Sequence, residues 1–475
     1  MAEHLSPLDA MFLELEQADE SAHMHIGAVM VFQAPRGARP PTLKDVQAHL
    51  EARLGTLPRY RQRLSSPRTG GLTWPSWEAV EGFELADHVR RARLPAPGGD
   101  AELLEWASDF YSHRLDRTRP LWEAVLVEGM PRGRWALATK THHCLVDGVG
   151  SVDVGYLMLD AHPSPRGTEP SAESLSPAPD SGEPHDDASP WLLAPGVLLR
   201  GARAGAGALR HPQRTLERSR AMVELLIRDE LIAAPHTSLN EPIGGTRRLE
   251  AVRMPLAELK AIKNGLGGTI NDVVLALCTG GLRRLLIARG EALPEHGLRG
   301  QIPVNIRDAQ ERLALGNRLS SLFVHLPVAE EDPRARYERT LEEAESLKHG
   351  DQAVGSRSLV ELTSLAPPML HTLLAQSLFD ARLFNLTITN VPGSQSTLYA
   401  QDSRLVEVLP LVPLFARHAV GIAVVSYDGD VVFGLNADRD GVPDLEVLSA
   451  GITAELANLR GLVHERPTTP AGSAS

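Results

Sequence analysis

From Pro163 to Pro190 the sequence runs PSPRGTEPSAESLSPAPDSGEPHDDASP. Pro, Ser, Gly and acidic residues dominate it, and so little apolar surface cannot offset the entropy of ordering a backbone. The stretch predicts a disordered linker, and whatever folds must fold on either side of it. A chain of 475 residues is in any case too long for one ordinary core; domain-size scaling allows about two to three domains. The expected division is an N-terminal lobe over 1–162, the linker over 163–190, a basic helical connector over 191–235, a C-terminal lobe over 236–463 and a flexible tail over 464–475.

Both lobes alternate strand-like and helical runs. Leu121 to Met130 and Trp135 to His143 read as strands joined by a Pro-Arg-Gly turn, which predicts a hairpin. In the second lobe, Gly268 to Ala288 reads as a helix opened by Thr269 or Asn271. FNLTITNVPG and VGIAVVSYDGDVVFGLNADRD read as strands, with Asp-Gly as a hairpin turn. The expected class is α/β with mixed sheets.

Composition narrows the function classes. Lys+Arg 48 against Asp+Glu 60 gives a net charge of -12, and no long basic block is present to track a phosphate backbone, so nucleic acid is not an expected partner. Cys144 and Cys278 are too few and too far apart for a disulfide framework or a Cys-rich zinc site. The N-terminus, MAEHLSPLDAMFLELEQ, lacks the basic-then-apolar pattern of a secretory signal. No window reaches the roughly 18 uninterrupted apolar residues of a membrane span. The expectation is a cytosolic chain whose membrane contact is peripheral. Trp191 to Ile232, where Arg214, Arg218 and Arg220 stand among Leu and Met, is either an amphipathic membrane-surface helix or a solvated bridge between lobes.

The first predicted hairpin runs into THHCLVDGVGSVD, Thr141 to Asp153. Strand alternation puts Thr139, Thr141 and His143 on one face and Lys140 and His142 on the other. One histidine then faces a reactant and the other braces it. Asp147 follows a tight excursion, and Gly148 and Gly150 permit backbone approaches that a Cβ would forbid. Asp147 can accept from an imidazole N–H or pair with an arginine. A metal site needs both histidines and the carboxylate to converge, which alternation disfavours, so none is expected.

Other chemistries lack their parts: there is no Gly-x-Ser-x-Gly elbow, no phosphate loop ending in Gly-Lys-Ser/Thr and no His-Glu-x-x-His. A histidine acting alone as general base remains. It suits deprotonating an alcohol as the alcohol attacks an activated acyl group, because imidazole titrates near working pH. With a thioester as donor, no acyl-enzyme is needed.

HHCLVDG matches the HHxxxDG signature of the coenzyme A-dependent acyltransferase superfamily. The chain as a whole resembles the bacterial wax ester synthase/diacylglycerol acyltransferase family. The resemblance is carried by SPLDAMFLELE (Ser6 to Glu16), PRYRQRL (Pro58 to Leu64), RPLWEAVLVEG (Arg119 to Gly129), LNEPIGGTRR (Leu239 to Arg248), TINDVVLALCTGGLR (Thr269 to Arg283), PVNIR (Pro303 to Arg307) and TNVPGS (Thr389 to Ser394).

The resemblance implies two chloramphenicol acetyltransferase-like mixed-sheet lobes with a tunnel between them. Acyl-CoA would be co-substrate, with no bound cofactor, and diacylglycerol or a long-chain alcohol would be acceptor. His143 would be general base, with His142 in support. Asp147 would be structural, paired with Arg59, Arg61 or Arg63, and Gly148 part of the loop. Asn271 either belongs to a helix start whose Val273, Val274, Leu275 and Leu277 are core, or donates to the thioester oxygen. Pro120 to Trp122 would pack beneath the catalytic strand. Such acceptors place the enzyme on the inner face of the plasma membrane or on lipid inclusions. The alternatives are a condensation-type acyltransferase fed by a carrier protein, or a catalytically idle lipid-binding protein.

Overall fold

The computed structural model describes residues 3–55, 57–65, 75–145, 156–163, 233–305, 319–349 and 383–464. The expected linker beyond Pro163, the connector up to Ile232 and the tail beyond His464 lie outside them, as do Asp147 and Gly148.

Among the described residues three sheets carry the fold. A small one joins β1 (Glu3–His4), β4 (Ser76–Ala79) and β3 (Gln62–Leu64). The N-terminal sheet has the order β12 (Tyr399–Ala400), β13 (Ser403–Leu411), β2 (His25–Gln33), β7 (Arg134–His142), β6 (Trp122–Glu128), β5 (Val89–Arg93). The C-terminal sheet has the order β10 (Leu319–Leu326), β9 (Leu298–Asn305), β11 (Leu386–Pro392), β14 (Val420–Tyr427), β15 (Asp430–Asp438), β8 (Arg247–Pro255). The helices are α1 (Pro7–Ala18), α2 (Leu43–Leu54), α3 (Asp100–Ser112), α4 (Leu256–Leu266), α5 (Ile270–Ala288), α6 (Pro333–His349) and α7 (Leu445–His464).

The hairpin read from sequence is β6–β7, antiparallel with Val125 opposite Ala138. Its connection is a tight turn over Pro131–Gly133 with Arg132 at φ 60° and Gly133 at φ 73°. β7 is buried on both faces, and alternation sorts its residues between two cores. Trp135 and Leu137 pack with Val46, Leu50 and Leu54 of α2, and Trp135 stacks on Phe32 at 4.3 Å. Ala136 and Ala138, on the other face, pack with Leu103, Ala107 and Phe110 of α3. That second core also takes in Leu249, Val425 and Val432 of the C-terminal sheet. It therefore joins the two lobes.

Sequence order and sheet order part company at β12 and β13. These strands lie inside the expected C-terminal lobe of 236–463, yet β13 pairs antiparallel with β2, Leu411 opposite Gly27 and Arg404 opposite Gln33. The chain then returns to the C-terminal sheet as β14. Where β13 and β15 cross, Gly434 leaves the only room available: a Cβ there would lie 1.9 Å from the Pro410 carbonyl oxygen.

In the C-terminal lobe, α5 begins as expected near Thr269, with Thr269 rather than Asn271 as its N-cap. The Thr269 hydroxyl accepts from the Asp272 N–H at 3.3 Å and Asp272 accepts from the Thr269 N–H at 2.8 Å, a reciprocal cap. Val273, Val274, Leu275 and Leu277 are buried in the core beneath the C-terminal sheet.

Candidate active site

β7 ends at His142, and His143 to Leu145 form a turn. The strand ends one residue before the expected His143, and a side-chain cap marks the turn. His142 Nδ1 accepts from the Cys144 N–H at 3.1 Å, drawing the chain back on itself. The His143 N–H donates to the Met24 carbonyl at 2.8 Å, and the His142 N–H to the Leu121 carbonyl at 2.9 Å. Leu121 and Trp122 thus lie beside β7 in the sheet rather than beneath it, Trp122 opposite Thr141: Trp122 is fully buried, its Nε1–H donates to the Tyr60 carbonyl at 2.8 Å, and its ring stacks on His88.

α1 meets both histidines. Its Phe12 and Glu16 are four residues apart and share a face. The Phe12 ring stacks on His143 at 3.9 Å with planes 15° apart. Glu16 Oε2 accepts from His142 Nε2 at 2.6 Å. Because His142 Nδ1 is an acceptor, the imidazole proton sits on Nε2, and Glu16 is the group that holds it there.

Glu16 is 1 % exposed, so burial alone would raise its pKa. The hydrogen bond from His142 and the positive charge of Arg117 hold it well below the usual carboxylate range instead. Arg114 Nε donates to Glu16 Oε1 at 2.9 Å. His25 stands opposite His142 in the β2–β7 ladder, its ring edge-on at 5.9 Å, and burial and nearby Lys140 push its pKa well down. Among the described residues no group of three His, Cys, Asp or Glu side chains could hold a metal ion.

His143 as a whole is half-buried while its Nδ1 is enclosed. Burial pushes its pKa down to about 4. Its imidazole is thus neutral near pH 7, the form that accepts a proton.

The loop that carries Asp147 and Gly148 lies outside the described residues, but both of its ends are visible. Beyond it, the buried Asp160 pairs with Arg53 Nη2 of α2 at 2.7 Å, His49 contacts the Met158 carbonyl at 3.2 Å, and Asp160 bridges to Tyr399 of β12. Of the arginines considered for Asp147, Arg61 pairs with Glu51, the Arg59 guanidinium lies over Trp77 at 4.6 Å, and Arg63 is exposed.

Asn271, in the first turn of α5, is joined to the C-terminal sheet. Its Oδ1 accepts from Asn390 Nδ2 of β11 at 3.4 Å. Glu16, Phe12 and the Arg53–Asp160 pair were not singled out from sequence. Glu16 and Phe12 had a legible signal, the four-residue spacing inside SPLDAMFLELE.

Two mixed-sheet lobes, a strand passed from the second into the first, and a histidine pair at the end of a central strand define an acyltransferase of the chloramphenicol acetyltransferase-like fold. The chain belongs to the wax ester synthase/diacylglycerol acyltransferase family: the model of its catalytic domain matches residues 5–274 and that of its C-terminal domain residues 315–460. Two Mycobacterium tuberculosis proteins, each named "Probable diacyglycerol O-acyltransferase", are similar. One is 33 % identical over 97 % of this chain and 99 % of the relative. The other is 31 % identical over 98 % and 97 %. A solved wax ester synthase/diacylglycerol acyltransferase from Marinobacter aquaeolei VT8 is 28 % identical with a TM-score of 0.69, covering 97 % of this chain and 100 % of that one. The starter condensation domain of rhizomide synthetase, solved with C8-CoA and Leu-SNAC, shares the fold at 14 % identity and a TM-score of 0.58, over 98 % of this chain and 95 % of that one.

Proposed function

We propose that this acyltransferase esterifies diacylglycerol and long-chain alcohols with the acyl group of acyl-CoA, His143 acting as general base in a direct transfer. The observation that carries the reading is a neutral imidazole held on Phe12, next to a histidine whose own proton is committed to Glu16. The acceptor hydroxyl gives its proton to His143 as its oxygen bonds to the thioester carbonyl carbon. The tetrahedral oxyanion collapses, the C–S bond breaks, and the CoA thiolate takes the proton from the imidazolium.

Asn271 suits stabilisation of the oxyanion, since its Oδ1 is engaged by Asn390 and the N–H groups of its Nδ2 are donors. Asp147 orients the loop by pairing with an arginine, and Gly148 allows the loop its path. Acyl-CoA and the acceptor enter the space between the lobes from opposite sides.

The acceptors are nearly insoluble in water. No described helix is long and apolar enough to cross a membrane, so the enzyme reaches them at the inner face of the plasma membrane or on lipid inclusions, through the basic segment of Trp191 to Ile232. Release of free CoA by purified protein given acyl-CoA with diacylglycerol or hexadecanol tests the reading. Its absence with both acceptors would refute it.

A further inference from the structure

β9, β10 and β11 present two unlike faces. Leu298, Val324, Leu326, Leu386 and Ile388 face the core beneath the C-terminal helices. Arg299, Gln301 and Thr387 lie on the other face, and all three are buried. The Thr387 hydroxyl donates to Gln301 Oε1 at 2.8 Å, so this pair satisfies itself. Arg299 is different. It is 6 % exposed, its Nε and Nη1 are enclosed with no hydrogen-bond partner, and among the described residues no carboxylate pairs with it. Its guanidinium lies over the Phe323 ring at 4.8 Å, and burial alone lowers its pKa. Enclosed guanidinium N–H groups that lack acceptors are costly and call for acceptor oxygens.

The place of this guanidinium says what that group is. Phe323 packs on a cluster built from both lobes, Met11, Phe12, Leu15 and Met24 from the first and Phe384 and Phe415 from the second. Phe12 of that cluster carries His143. Arg299 therefore borders the same interlobe apolar cluster as the general base. A guanidinium only donates hydrogen bonds, so its ligand must supply acceptor oxygens. Gln301 and Thr387 beside it are neutral, which does not suit the multiply charged phosphates of CoA. A long-chain alcohol has no oxygen beyond the one that reacts. A diacylglycerol carries ester carbonyls a few bonds from its reacting hydroxyl.

We propose that Arg299 is a specificity-determining residue that donates to an ester carbonyl of a glyceride acceptor, a contact unavailable to a fatty alcohol. This rests on the acceptor classes proposed above. The test compares wild type with Arg299→Met, using 1,2-dioctanoylglycerol and hexadecanol with acyl-CoA and reading CoA release. Methionine keeps length and apolar contact with Phe323, and deleting enclosed N–H groups that lack acceptors should leave the melting temperature unchanged or higher. Loss of a charge-assisted hydrogen bond predicts a fall of about 10- to 100-fold in kcat/KM for the glyceride, mostly in KM, with hexadecanol turnover within about twofold of wild type. Arg299→Lys should retain part of the glyceride activity. Equal losses on both acceptors, or no loss on the glyceride, would overturn the assignment. Wild type that turns over neither acceptor would sink the esterification reading instead. The contact would still be decided by whether dioctanoylglycerol raises the melting temperature of wild type and not of Arg299→Met.

Discussion

Glu16 Oε2 and His142 Nε2 lie 2.6 Å apart, each residue 1 % exposed, so the first histidine of the pair is held by a buried carboxylate. This fixes the tautomer of His142, leaves Nδ1 to hold the Cys144 N–H, and so shapes the turn that carries His143. In the proposed reaction Glu16 would be a positioning residue that acts through His142. Glu16→Ala should destabilise the fold, since removing one partner of a buried pair costs about 3–5 kcal/mol. It should lower kcat with little change in KM. Glu16→Gln keeps an acceptor for Nε2–H and should recover part of the rate. A Gln variant with the Ala variant's kcat at equal melting temperature would argue against the orienting role.

His143→Ala should leave the fold intact and reduce turnover by about 10²–10⁴-fold, the usual worth of a general base. His142→Ala should cost stability and activity together, since it releases both Glu16 and the Cys144 N–H. Steady-state kinetics beside thermal melts separate the two. A greater loss of rate for a well-folded His142→Ala than for His143→Ala would reverse the roles assigned to the pair.

Acid should act on stability before it acts on the base. Burial depresses His23, His49 and His143 from the ordinary 6.5 to about 4. Each binds a proton more readily when unfolded, so their contribution is complete above pH 6.5 and is lost as pH falls from there toward 4. The melting temperature should drop across that window. The kcat/KM profile should show no acid limb near 6.5, because free His143 stays neutral until about 4. An activity limb centred near 6.5 would mean that His143 is better hydrated than its surroundings imply.

Gly434→Ala should destabilise the protein by roughly 1–3 kcal/mol through overpacking at the β13–β15 crossing. The added methyl would meet the Pro410 carbonyl, and either strand must move. Denaturant melts read this directly, and an unchanged midpoint would mean the crossing yields easily.

Liposome flotation should distinguish wild type from a variant with Arg214, Arg218 and Arg220 changed to Glu. If the segment from Trp191 to Ile232 is the membrane contact, the variant should float less, since cationic side chains beside apolar ones combine attraction to anionic headgroups with shallow burial. Equal flotation of both proteins would exclude the segment.

Local patterns were legible in the sequence because local interactions specify them. The β6–β7 hairpin follows from two apolar runs and a Pro-Arg-Gly turn, the start of α5 from a threonine with an aspartate three residues on, and the β14–β15 hairpin from Asp-Gly. The HHCLVDG stretch and its companions likewise announced an acyltransferase of a particular family. Three features needed the tertiary structure, because each joins residues far apart in the chain. The strand stops one residue before the expected His143, and a side-chain cap from His142 marks the turn. The partners of the two histidines sit on α1, more than a hundred residues away, and only packing of that helix against the end of β7 makes the Phe12–Glu16 spacing meaningful. The placement of β13 beside β2 has no local signature. It is decided by which exposed strand edge remains to be paired and by the interlobe core of Val29, Val31, Leu409, Leu411, Val425 and Val432 that this pairing completes.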